Sequence, residues 1–122
     1  MHDHERFGHR EHIQLAFTAI RAHGMPDAIG HVCATIREFA EYQRVPGKYH
    51  HTVSRAWVEI VAHHLSAGTE DFPAFIHRNP ALLDKHLVRR HYSPALLASE
   101  SARGKWAEPD LAPFPWRETG SI

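Results

Sequence analysis

The chain has 122 residues, 43% of them hydrophobic and 23% charged, with a formal net charge of zero. That is the balance of one ordinary globular domain, and it argues against wholesale disorder, a dedicated nucleic-acid binder or a polybasic membrane-surface protein. No apolar run approaches the roughly 18 residues of a membrane span, Met1 to Arg6 lack the apolar segment of a secretory leader, and the single cysteine, Cys33, fits a reducing cytoplasm.

Residues 1–8 are polar and end in Gly8, a loose lead-in. From His9 the pattern turns helical: His9, Ile13, Ala16, Phe17 and Ile20 share one face, with His12 at its edge, and Gly24 marks the end. Pro26 fits the first turn of a second helix, whose stripe is Ile29, Val32, Cys33, Ile36, Phe39 and Ala40. Cys33 within that stripe reads as a packed core thiol. The short Gly24-Met25 link predicts a helical hairpin.

Val45-Pro46-Gly47 signals a turn. A third helix is predicted from about Tyr49 to Ala67, with His50, Val53, Trp57, Ile60, Val61 and His64 inward and Arg55, Glu59 and His63 outward. A short helix follows from Asp71-Phe72-Pro73, with Asp71 or Thr69 as cap. Asn79-Pro80 opens another, through Leu82, Leu83, Leu87 and Val88, and Ser93-Pro94 caps a last one through Leu96 and Leu97. Residues 107–122 are rich in proline and read as an extended tail, with Trp106, Leu111, Phe114 and Trp116 as anchors. The expectation is an all-α single domain spanning 1–122, of about five or six helices.

Histidine is the compositional outlier, at thirteen residues. Most of these, including His51, His63, His77 and His86, read as surface residues. His9-x-x-His12 is an i, i+3 pair on one helix, and His9 falls on an apolar face where an unpartnered ring is costly. Facing helices of a bundle build metal sites from such side chains. His50, heading the stripe of helix three, is a candidate third ligand, the alternative being that it caps its helix and bonds backbone. His64 lies too far along that helix to join. His91 is a candidate fourth ligand, and the adjacent Arg90 suits a carboxylate or phosphate, although a basic helix end would place both there without function. Glu5 would add a carboxylate to His9 and His12 if the first helix began earlier. Imidazole ligands suit zinc, copper, nickel or ferrous iron rather than magnesium or calcium.

The segments Phe7-x-His9-x-x-His12-Ile13-x-Leu15-Ala16, Pro46-Gly47-Lys48-Tyr49-His50, Thr52-x-x-x-Ala56-Trp57, Arg90-His91-Tyr92-Ser93 and Trp106-x-x-Pro109-Asp110-Leu111-x-Pro113 carry a resemblance over nearly the whole chain. It resembles a family of small uncharacterised bacterial histidine-rich helical proteins. The resemblance implies no activity, only emphasis on His9, His12, His50 and His91.

The leading expectation is therefore a cytoplasmic non-haem metalloenzyme, with iron or copper favoured over zinc, oxidising a small molecule with dioxygen. Tyr49, Trp57 and Arg90 would shape the pocket, Tyr49 and Arg90 as catalytic candidates. The alternative is a non-catalytic metal-binding or interaction protein, acting through its tail or as a homodimer. A weaker reading gathers Arg89, Arg90, Arg103 and Lys105 into a nucleic-acid patch.

Overall fold

In the computed structural model of the chain, residues 8–65 and 70–116 are described. The described residues form six α-helices, α1 (His9–His23), α2 (Asp27–Tyr42), α3 (His51–His64), α4 (Phe72–Arg78), α5 (Pro94–Ala98) and α6 (Glu100–Gly104). Three 3-10 segments join them, at Pro46–Lys48, Pro80–Leu83 and Lys85–Arg90. The protein is all-α, and the described residues contain no strand.

Local chemistry explains the helix ends. The Gly8 N–H, orphaned at the start of α1, donates to Glu11 Oε1 at 3.0 Å. At the other end Gly24 takes φ +74°, which costs glycine little, and its N–H closes on the Ile20 carbonyl at 2.8 Å. Asp71 is the cap of α4, accepting from the Ala74 N–H at 3.0 Å. Ser93 and Ser99 do the same for α5 and α6, accepting from the N–H groups of Leu96 and Ala102. The last of these helices was not anticipated, because its apolar content is a single buried residue, Ala102.

The three long helices pack against one another, and α6 adds a further contact to α3. As a result α3 is buried on more than the predicted face: Thr52, Ser54, Ala56, Trp57, Val58, Glu59, Ile60 and Val61 are all buried. Glu59, expected to point outward, is only 6% exposed. Its carboxylate accepts from Arg55 Nε at 2.8 Å and from the Trp116 indole N–H at 2.9 Å, which offsets the cost of burying it. The buried Thr52 hydroxyl donates to the Ala102 carbonyl at 2.7 Å and accepts from the Ala107 N–H at 3.1 Å, tying the start of α3 to the chain beyond α6.

The C-terminal segment folds back over the corner at Arg90–Ser93. Tyr92 is fully buried and donates to the Ala107 carbonyl at 2.7 Å. Asp110 accepts from the Ser93 N–H and hydroxyl at 2.8 and 2.6 Å, and these bonds, the hydroxyl's first, lower its pKa. Phe114 is fully buried, with its ring 4.4 Å from that of His91 and stacked 4.7 Å from that of Trp116. Leu111 corrects one expectation: it is 58% exposed, and only its N–H engages, donating to the His91 carbonyl at 2.9 Å.

Candidate functional site

His9 opens α1 and lies edge-on to Trp57 of α3, ring centroids 4.5 Å apart. Its Nε2 sits 2.8 Å from the Leu82 carbonyl. A carbonyl only accepts, so Nε2 carries the proton and a neutral ring keeps its lone pair on Nδ1. Burial lowers the pKa of His9, opposed by the Leu82 bond. One turn on, the His12 ring centroid lies 6.5 Å from that of His9. Its Nε2 is buried, and the ring hydrogen-bonds to the backbone of Ser54. Burial, helped by the neighbouring His9, lowers its pKa to about 4. His12, expected at the edge of the face, is thus the more deeply desolvated of the two.

Both rings line a pocket of about 340 Å³, together with Trp57, Lys85, His86 and Arg89. Of the last three, the sequence offers His86 only as a surface residue and Arg89 only as part of a basic patch, and it does not single out Lys85. The signal that finds them is the backbone between 85 and 90, which is 3-10 rather than α. With three residues per turn, side chains at i and i+3 eclipse. Lys85 pairs with Val88 and His86 with Arg89 on the His9–His12 side, while Leu87 pairs with Arg90 on the opposite side. Arg89 and Arg90 consequently line two different pockets.

His50 is the N-cap of α3. Its Nδ1 accepts from the Val53 N–H at 3.2 Å and its Nε2 donates to the Leu97 carbonyl at 2.8 Å, so both ring nitrogens are engaged with backbone. His50 does not line the His9–His12 pocket, which Leu97 borders instead. Tyr49 lies in a separate groove with Ile36, Phe39 and Val45. Its hydroxyl is 2.8 Å from His51 Nδ1, Arg37 stacks 4.7 Å over its ring, and burial, then the Cys33 thiol, raises its pKa. The Cys33 thiol is itself buried and pushed up by that burial, as a packed core residue should be.

Arg90 and His91 line a third cavity, of about 440 Å³. His91 Nδ1 donates to the Ala112 carbonyl at 2.8 Å. Glu5 lies outside the described residues. Of the predicted ligands, the structure therefore brings together His9 and His12, and leaves His50 and His91 apart from them. Among the described residues no three His, Cys, Asp or Glu side chains form a group that could hold a metal ion, and no helix is long and apolar enough to cross a membrane. Comparison with protein-family models, curated proteins and solved structures returns no significant match.

Proposed function

We propose that the chain is a small non-haem metalloprotein in which His9 and His12 hold iron or copper, and that it oxidises a small molecule with dioxygen in a cytoplasmic setting. The observation that carries this reading is the bond from His9 Nε2 to the Leu82 carbonyl. Metal-binding histidines are oriented in this way, one nitrogen donating to backbone so that the other keeps its lone pair. Lowered pKa values favour the neutral form of both rings, the form that binds a metal. Two protein imidazoles would leave positions open for water, dioxygen or substrate, which is the chemistry such an ion supplies. Lys85 and Arg89 at the rim would favour an anionic substrate.

A second reading, a non-catalytic metal-binding or protein-interaction accessory protein, acting alone or as a homodimer, is favoured by the lack of a third gathered ligand among the described residues.

Elemental analysis of tag-free protein, purified without nickel or chelator, tests the proposal. About one iron or copper per chain is expected in the wild type and in His50→Ala, and loss of the metal in folded His9→Ala and His12→Ala. A spectral change on adding azide to the loaded protein would mark an open coordination position, and its absence would select the non-catalytic reading. No stoichiometric metal, and none taken up from iron, copper or zinc, would sink both metal readings.

A further inference from the structure

The cavity of about 440 Å³ lies on the other side of the 80–90 segment from His9 and His12. Its walls combine an apolar floor, including Ile60, Leu82, Leu87 and Trp116, with a basic rim, including Arg90 and His91. None of its lining residues is acidic. Its volume, about 440 Å³, falls within the range of small-molecule pockets.

The charges around it are unequal. Arg78, also in the wall, is bound to Glu70, which removes most of its call on a ligand. Glu59, behind Trp116, is held by Arg55 and the Trp116 indole. Arg90 is exposed and makes no ion pair among the described residues. Its planar fork matches a carboxylate in a bidentate pair, a geometry that an ammonium could not supply.

Two imidazoles in the wall are oriented by the fold. His64 Nδ1 donates to the Ile60 carbonyl at 2.9 Å and His91 Nδ1 to the Ala112 carbonyl at 2.8 Å. A carbonyl can only accept, so both rings hold their proton on Nδ1 and keep Nε2 for another partner. The Trp116 ring is fixed by its bond to Glu59 and its stack on Phe114. These rings are held in place before any ligand arrives, which lowers the ordering cost of binding.

We propose that this cavity binds an organic monocarboxylate with a ring or branched apolar body: the carboxylate on Arg90, the body on Ile60, Leu82, Leu87 and Trp116. The site is independent of the His9–His12 pocket and does not require a metal.

The test uses the full chain and three probes: 3-phenylpropionate, its uncharged amide, and inorganic phosphate. Binding is followed by NMR at the Trp116 indole N–H and the His91 ring. Saturable shifts at both are expected with the carboxylate, with the amide and phosphate at least about tenfold weaker. Arg90→Gln should weaken carboxylate binding by about tenfold, and Ala81→Trp, at an exposed wall position, should block it. Both positions are exposed, so folding should survive. Equal binding of acid and amide, equal binding of phosphate, shifts confined to His9 and His12, or unchanged affinity in both variants would each overturn the proposal.

Discussion

The indole N–H of Trp116 donates to Glu59 Oε1 at 2.9 Å, joining the end of the described chain to the middle of the central helix. The other oxygen of that carboxylate takes Arg55, whose guanidinium lies 4.2 Å over the ring of Trp106. One buried acid thus fastens both ends of the C-terminal segment, residues 106 and 116, to α3. The same fastening sets the Trp116 wall of the cavity that Arg90 and His91 line.

Glu59→Ala should therefore destabilise the fold by about 2–4 kcal/mol, because it strands the Arg55 charge and the Trp116 N–H. Glu59→Gln keeps an acceptor and should cost about 1–2 kcal/mol. Urea unfolding read by tryptophan fluorescence measures both. An Ala variant within about 0.5 kcal/mol of wild type would show that the segment is not docked in this way.

Acidification should weaken the protein through His12. Its pKa falls from 6.5 to about 4 on folding, so between those values the unfolded chain holds a proton that the native state does not. Stability then rises with pH across that window. In the other direction, it is lost as pH falls from about 6.5 and levels off below about 4, by on the order of 3 kcal/mol for this residue. His9 and His50, whose values are also lowered by burial, act in the same direction. Melting temperature against pH should show the slope, and His12→Gln should flatten it. An unchanged slope in that variant would remove His12 as its source.

His50 offers a clean separation of structural from ligating roles. It caps α3 through Nδ1 and reaches α5 through the Leu97 carbonyl. His50→Ala loses both bonds and should cost about 1–3 kcal/mol, while His50→Asn retains a capping oxygen and should recover about half. Metal content should not change in either. Loss of metal from a stable His50→Asn protein would instead return His50 to the ligand set.

How much of this was legible in the sequence depended on backbone period. Over α1 and α2 the period is 3.6 throughout: the predicted bounds of α1 match, and the cores of both predicted stripes are buried, though Pro26 is the N-cap of α2 rather than in its first turn and buried Ala19 and Ala28 lie outside the stripes. The central helix defeats a one-face reading because α1, α2 and α6 enclose it, so even Glu59 is buried where partners exist. The 80–90 segment defeats it differently. Its two 3-10 runs shift the register to three per turn, which places Lys85, His86 and Arg89 in one pocket and Leu87 and Arg90 in another. His9 and His12 could be paired from spacing alone. That His50 is occupied by Val53 and Leu97 could not, since Leu97 is remote in sequence and the contact is tertiary.

The C-terminal segment gives the last contrast, between two apolar residues both expected as anchors. Phe114 is fully buried, with its ring against His91 and Trp116, whereas Leu111 is 58% exposed and engages through its N–H alone. Phe114→Ala should therefore cost about 3–5 kcal/mol, from lost transfer energy and the cavity left behind. Leu111→Ala, which keeps that N–H, should stay within about 0.5 kcal/mol of wild type. The difference should also reach the monocarboxylate site, because Phe114 supports the Trp116 and His91 walls. Carboxylate binding should weaken in a still-folded Phe114→Leu protein and be unaffected in Leu111→Ala. Equal stability losses at the two positions, measured by urea unfolding, would mean that the segment adheres through its backbone rather than through the Phe114 ring.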